Sequence, residues 1–375
     1  MDLLKIRDEL DVIDQQITRL FEERMRLCGE VAAFKLETGK AVFDPVREQQ
    51  KIEKIGTLVE DEFNRMAMQE ILTQMMAVSR RRQYQIMVEK GKVAPLELTP
   101  VKKLPTKGKK AAYCGVEGAY AYEATVRFFG EDMDKLPVAS FNAAMTAIEN
   151  GEADYAVLPI ENSTAGAVGN VYDLLAEHTN IIVGEIDVPI CHCLLGVPGS
   201  TLEDITEVQS HPQALSQCRH YLDEHPEWVQ LSSTNTALSA KVVAEKGNKH
   251  QAAIASEAAG KLYGLEVLEK GINHQSENTT RFVVVTGQKI YQEDAGKIRI
   301  CFECPHIKGS LHQLLAHFKY NDLNMTRIES RLIPEKNWEY RFFVDFEGNL
   351  NSGEVRNALL GLESEATVLR ILGTC

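Results

Sequence analysis

The stretch Leu3–Lys35, LLKIRDELDVIDQQITRLFEERMRLCGEVAAFK, decides how the chain begins to fold. Its apolar residues Leu3, Ile6, Leu10, Ile13, Ile17, Leu20, Leu27, Val31 and Phe34 recur at spacings of three and four, a heptad seam on one long helix. The slot between Leu20 and Leu27 holds Arg24. A guanidinium in an apolar seam is costly unless it is paired. Arg24 is therefore a register-setting polar residue, a snorkelling side chain at a bundle edge, or a functional group. Lys35, eleven residues on, projects from nearly the same face about 16 Å along the axis. Arg7 lies about 100° away around the helix. It should not enter the same pocket from the same side, but it can serve the pocket of a neighbouring subunit.

The next helix opens at Asp44-Pro45-Val46-Arg47-Glu48, with Asp44 as N-cap and Pro45 at the first helical position. Arg47 and Glu48, three and four residues beyond Asp44, share its face. Ser79 and Gln83 form an i, i+4 pair on a third helix. A solvated face explains them equally well when taken alone, as it does the neighbouring run Arg80-Arg81-Arg82. A small bundle that turns several cations inward with few matching carboxylates suits a compact polyanion. It offers no nucleophile, metal site or cofactor site, so any catalysis there works by positioning and electrostatics.

The sequence has 375 residues, enough for two or three domains. Asp and Glu outnumber Lys and Arg by 54 to 41, a net charge of −13, which argues against nonspecific nucleic-acid binding. No apolar run approaches the roughly 18–20 residues that would span a bilayer, and the charged N-terminus does not read as a signal peptide, so a cytoplasmic location is expected. Eight cysteines are too sparse for a disulfide scaffold, and the pairs Cys191/Cys193 and Cys301/Cys304 lack zinc-site partners; no metal and no cofactor are expected.

Texture divides the chain into an all-helical segment at 1–90 and a Pro- and Lys-rich linker at 91–110. An α/β region of mostly parallel strands follows at 111–287, then an α+β unit at 296–375. The last unit reads strand-helix-strand-strand-helix-strand, the ferredoxin-like order. In the α/β region three polar clusters follow or enter strands. They are Glu161-Asn162-Ser163-Thr164, then Ser210-His211 with Gln213 and Gln217, then Thr280-Arg281-Phe282. Polar residues at the C-terminal edge of a strand sit where α/β sheets bind ligands. Helix capping accounts for Asn162, Ser163 or His211 equally well.

The pattern Arg7…Arg24…Lys35…Asp44-x-x-Arg47-Glu48…Ser79…Gln83 resembles the all-helical chorismate mutases. The resemblance implies an intertwined dimer in which Arg7 completes the partner's site. It further implies that Arg7, Arg24 and Arg47 hold the two carboxylates of chorismate, that Lys35 and Gln83 bond the ether oxygen, and that Glu48 and Asp44 meet the ring hydroxyl and its polar neighbours. Residues 111–287 resemble the prephenate dehydratases, through the three clusters together with His192-Cys193-Leu194-Leu195, Ser256-Glu257 and Tyr263-Gly264-Leu265. That resemblance implies a site between two lobes, with Thr280 as the hydrogen-bond donor to the leaving hydroxyl. Glu161, Asn162, Ser163, Thr164, Ser210, His211, Gln213, Gln217 and Phe282 would contact or polarise prephenate, and Arg281 would clamp a carboxylate. The turn Gly115–Tyr120 is similar to the family's first turn, with Ala119 and Ala121 in place of hydroxyl residues.

The C-terminal unit resembles an ACT-type amino-acid-sensing domain. Gly309-Ser310-Leu311 and Glu329-Ser330-Arg331 would receive L-phenylalanine, while His312 and Leu332 replace an expected aliphatic residue and an expected proline. The order mutase, dehydratase, ACT unit implies two consecutive steps, chorismate to prephenate to phenylpyruvate, in a homodimer or homotetramer feedback-inhibited by phenylalanine. Whether prephenate or its amino analogue arogenate is preferred is left open by the residues alone.

Overall fold

In the computed structural model the chain is described at residues 2–92, 95–275, 277–334 and 336–375, so Val93 and Ala94 of the expected linker and Glu335 of the last unit lie outside the description. It divides into two units, Met1–Leu96 with Gly296–Ile371, and Glu97–Ala295 with Leu372–Cys375.

The first unit opens with three helices, α1 (Leu3–Thr38), α2 (Pro45–Gly56) and α3 (Glu62–Glu89). Asp2, Asp44 and Asp61 cap their N-termini through side-chain oxygens, and Gly39 ends α1 in the left-handed conformation that glycine adopts without penalty. The heptad seam is present but unburied within the chain. Leu10 is 53% exposed, Ile17 58% and Leu20 71%, and Ala32 is the only buried residue of α1 among the described ones. A two-residue-wide apolar stripe needs a second helical surface, and α2 and α3 do not supply it.

The same unit contains strands Lys297–Glu303, Met325–Leu332, Tyr340–Glu347 and, up to Ile371, most of Val368–Thr374, with helices Ser310–Tyr320 and Gly353–Glu365 inserted after the first and third strands. In sheet order the strands run second, third, first, fourth. Between the paired strands Lys297–Glu303 and Tyr340–Glu347, Arg299 stands opposite Asp345. Its Nε and Nη2 donate to Asp345 Oδ1 and Oδ2 at 2.6 and 2.5 Å, and both residues are buried.

The second unit holds two α/β lobes. In one, Lys110–Cys114 lies parallel to Asp134–Val138 and to Tyr155–Asn162, while Thr279–Thr286 runs antiparallel to both Tyr155–Asn162 and Ile181–Pro189. In the other, the order is Glu266–Lys270, Cys193–Gly196, Gln251–Ala255, Glu207–Ser210, Val229–Ser232. The expectation of mostly parallel strands is therefore corrected: both sheets are mixed. The chain leaves the first lobe after Pro189 and returns at Thr279, and the returning strand enters beside the departing one in the opposite direction. The run Phe282-Val283-Val284-Val285 is buried because it is a central strand covered on both faces. Part of the stretch 91–110 takes up structure of its own. Thr99–Val101 pairs in parallel with Ile290–Gln292, and Leu98 and Leu104 pack on the first lobe's core.

Replacing Asp345 by Ala strands a buried guanidinium. It is expected to destabilise the C-terminal sheet by about 3–5 kcal/mol, whereas the apolar pair Arg299→Met with Asp345→Leu costs less. Amide exchange in the strand Lys297–Glu303 checks this; equal protection in the wild type and Asp345→Ala would contradict it.

Candidate active sites

In the helical part, Arg24, Lys35, Asp44, Arg47, Glu48, Ser79 and Gln83 line one cavity of about 440 Å³, together with Lys40, Lys51, Phe43 and Arg80. Arg24 reaches into it from the gap in the seam, donating from Nη1 to Met75 O (3.0 Å) and to Ser79 Oγ. Lys35 Nζ donates to Val42 O at 2.7 Å. Burial, and next the neighbouring Arg47, push the Lys35 ammonium below its ordinary pKa, although Asp44 and Glu48 act the other way. Asp44 Oδ1 accepts from Arg47 N (3.0 Å), so it is an N-cap as well as a wall residue. Ser79 and Gln83 are buried rather than solvated, and Gln83 Oε1 has no partner. Arg7 is exposed and absent from this lining, as its angle around the helix requires.

In the second unit a cavity of about 790 Å³ lies between the lobes. Sheet register brings two distant motifs together there. Thr280 stands opposite Asn162 and Arg281 opposite Glu161. A directed hydrogen-bond chain follows. Gln217 Oε1 lies 3.0 Å from His192 Nε2, and Gln217 Nε2 donates to Thr164 Oγ1 at 3.0 Å. Thr164 Oγ1 donates to Asn162 Oδ1 at 2.7 Å, and Asn162 Nδ2 donates to Thr280 Oγ1 at 2.9 Å. Thr280 thus accepts from the protein and keeps its own proton for the cavity. Burial holds the His192 and His211 imidazoles below their ordinary pKa, which favours their neutral forms.

Five of the expected residues, Arg281, Glu161, Ser163, Ser210 and Thr164, lie outside the lining. Arg281 does not line the cavity; alternation along the strand turns it to the other face, where it donates to both Asp187 oxygens at 2.8 and 2.9 Å. Glu161, its cross-strand neighbour, and Ser163 are likewise outside the lining. Ser210 is fully buried and donates to Ile254 O at 2.6 Å, a bond inside its lobe. His211, Gln213, Gln217, Asn162, Thr280 and Phe282 do line the cavity, and Thr164 stands behind them in the hydrogen-bond chain.

Among the described residues no Lys, Arg, Asp or Glu lines this cavity. It is bordered instead by Ala119, Val168 and Asn235, the N-caps of helices Tyr120–Phe129, Gly169–Glu177 and Thr236–Lys246. The first two helices have no side-chain cap, which leaves their N-terminal amides to an anion. The alanines at 119 and 121 bring backbone to the cavity where a larger residue would cover it. Tyr120, at the end of the turn Gly115–Tyr120, donates to Cys191 O at 3.0 Å with His192 Nδ1 3.3 Å away.

Residues 6–84 match the family model for chorismate mutase type II and residues 111–290 that for prephenate dehydratase. The bifunctional chorismate mutase/prephenate dehydratase of Escherichia coli (strain K12) is 33% identical over 380 residues, covering 99% of this chain and 95% of the relative. The chain belongs to the bifunctional chorismate mutase/prephenate dehydratase family. It is an enzyme of phenylalanine biosynthesis with both activities, acting on chorismate and prephenate. An arogenate dehydratase/prephenate dehydratase of Arabidopsis thaliana is 36% identical over 299 residues, 75% of this chain and 72% of the relative. Among solved structures, the prephenate dehydratase of Arthrobacter aurescens in complex with L-Phe superposes with a TM-score of 0.65 at 31% identity, over 71% of this chain and 89% of that one. Among the described residues no helix is long and apolar enough to cross a membrane.

Proposed function

We propose that the helical-domain cavity is the mutase site and the interlobe cavity the dehydratase site, with domains at 1–90, 111–287 and 296–375. The observation that carries the first assignment is the convergence of Arg24, Lys35 and Arg47 on one cavity walled by Glu48 and Gln83. Arg24 and Arg47 pair with the carboxylates and hold chorismate compact, while Lys35 and the Gln83 amide meet the ether oxygen as it gains negative charge. Glu48 accepts from the ring hydroxyl. No proton moves in this rearrangement, so fixed charge and shape suffice. The exposed seam of α1 supports an intertwined dimer in which the partner's copy of this helix covers it and Arg7 reaches across.

In the interlobe cavity Thr280 donates its proton to the departing C4 hydroxyl of prephenate, which leaves as water. The electrons of the bond to the ring carboxylate complete the aromatic ring as carbon dioxide departs, and the hydroxyl of Thr280 is restored from solvent. Asn162, Thr164, Gln217 and His192 orient Thr280 for this step. The remaining carboxylate is held by helix N-terminal amides and by Gln213 and His211, in the role the resemblance implies for Arg281. A wall without Asp or Glu has nothing to pair with the ammonium of arogenate, so prephenate is the favoured substrate. In the C-terminal unit, the strand order supports an ACT-type ferredoxin-like domain. Gly309 caps its first helix with φ +79°, next to Ser310 and Leu311, and Glu329, Ser330 and Arg331 lie on the edge strand. L-Phenylalanine bound there inhibits the dehydratase by favouring a less active arrangement.

Arg24→Ala is expected to remove mutase activity, by about 100-fold or more, while supplied prephenate is still dehydrated at close to the wild-type rate; Thr280→Ala does the reverse. Loss of both activities in either folded variant would contradict two separate sites. Because a depressed Lys35 pKa means its charge is lost earlier as pH rises, kcat/KM for chorismate should fall on the alkaline side below the ordinary lysine value of about 10.4. Lys35→Arg should move that limb upward; a pH–rate profile identical in both enzymes would exclude Lys35 as its source. Turnover of prephenate should exceed that of arogenate in a direct comparison of the two substrates, and the opposite order would overturn the argument from the uncharged wall.

A further inference from the structure

Arg80 stands at the junction of two parts of the first unit. Its side chain is 6% exposed, too buried to hold a charge without partners. It has two. Nη1 donates to Glu48 Oε2 on α2, and Nε donates at 2.8 Å to Glu365 Oε1, at the end of the helix Gly353–Glu365. Its guanidinium also lies 4.9 Å from the centre of the Phe43 ring, on the cavity wall. Burial works against the charge on Arg80, but the two carboxylates outweigh it and raise its pKa. Burial likewise disfavours the Glu365 carboxylate, while His317, 3.3 Å away, and Arg80 hold its pKa below the ordinary value.

The contact is anchored on both sides. Arg81 Nη1 donates to Tyr320 O at 2.9 Å and its guanidinium lies 4.8 Å from the Tyr320 ring centre, while Tyr320 OH donates to Gln74 Oε1 at 3.1 Å. The helices Ser310–Tyr320 and Gly353–Glu365 therefore pack against α3 next to the mutase cavity. One oxygen of Glu48 is taken by Arg80, and a carboxylate with one oxygen fixed presents the other in a defined direction.

We propose that Arg80 is a positioning residue of the mutase, and that Glu365 from the C-terminal domain sets how firmly Arg80 holds Glu48, so that the mutase site is completed by a residue outside the helical domain. The proposal rests on the reading of Glu48 as the acceptor of the substrate hydroxyl. With Glu365 present, the charge of Arg80 is shared between two carboxylates. Without Glu365 the whole charge falls on Glu48, which turns from the substrate toward Arg80.

The test uses the full-length chain and four variants, Glu365→Gln, Glu48→Gln, the double variant, and Glu365→Asp. Each is assayed for chorismate consumption and, separately, for dehydration of supplied prephenate, with thermal melts to confirm folding. Glu365→Gln should lower mutase kcat by about tenfold with a much smaller change in KM, leave dehydration unchanged, and be partly rescued in Glu365→Asp. In the Glu48→Gln background the same change should have no further effect on kcat, because the group being positioned is gone. Wild-type mutase kcat in folded Glu365→Gln, or an equal loss in both backgrounds, would overturn the proposal while leaving Glu48 its role. Full mutase activity in Glu48→Gln would instead remove the reading beneath it. Should Glu365→Gln melt at the assay temperature, Arg80→Lys, which keeps the charge but loses the forked reach, carries the same comparison.

Discussion

The helical domain is organised around cations held closer together than water would favour. Arg24, Lys35 and Arg47 face one cavity, and Lys35 is pushed below its ordinary pKa by burial first and by the neighbouring Arg47 second. Local carboxylates do not cancel the charge. Asp44 is committed to capping α2, and one oxygen of Glu48 is held by Arg80. A doubly negative ligand would restore balance, and in the proposed mutase site the same field would stabilise charge growing on an ether oxygen. The cap at Asp44 and the burial of Ser79 and Gln83 help hold these groups in place, with Arg24 and Lys35 half-buried and Arg47 exposed at the mouth.

The proposed dehydratase cavity is built by a different route. Its described lining has no cationic side chain, and it relies on helix N-terminal amides and on amide and hydroxyl groups. The contrast follows from chemistry. A rearrangement that moves charge within a compact dianion benefits from full positive charges nearby. A reaction that expels a ring carboxylate as neutral carbon dioxide would be hindered by a guanidinium holding that carboxylate in its charged form. The pairing of Arg281 with Asp187 on the far face of the strand is consistent with that requirement.

Much of this was legible in the sequence, because local periodicity and local motifs carry it. The three helices and the shared face of Arg24 and Lys35 follow from spacing at 3.6 residues per turn, the last unit's order follows from its alternating strand and helix patterns, and Gln83 was placed only by the resemblance to the helical mutases. What was not legible depends on sheet register and on parity along strands. Thr280 and Arg281 are neighbours in sequence, yet one faces the cavity and the other does not, and only pairing with Asn162 and Glu161 decides which. Ser210 sits beside His211 but ends one residue inside the strand, which commits its hydroxyl to Ile254. The mixed direction of the sheets was hidden too, because a buried central strand such as Phe282–Val285 reads the same whichever way it runs.

The run Arg80-Arg81-Arg82 shows why a charge cluster on a helix cannot be read as a single feature. Successive residues are turned by about 100°, so three adjacent arginines point in three directions and cannot share one solvated face. On a helix with neighbours on several sides, at least one must point inward. Arg82 points out, with its side chain 46% exposed and Glu89 3.6 Å away. Arg81 packs across Tyr320, and Arg80 is enclosed between Glu48 and Glu365. The acids that make Arg80 tolerable lie 32 positions before it and 285 after it in the chain, and no window along the sequence contains all three. Buried charge of this kind gives little stability over an apolar contact of the same shape. Its use is directional, because a forked guanidinium fixes the orientation of both carboxylates it touches, and one of them faces the mutase cavity.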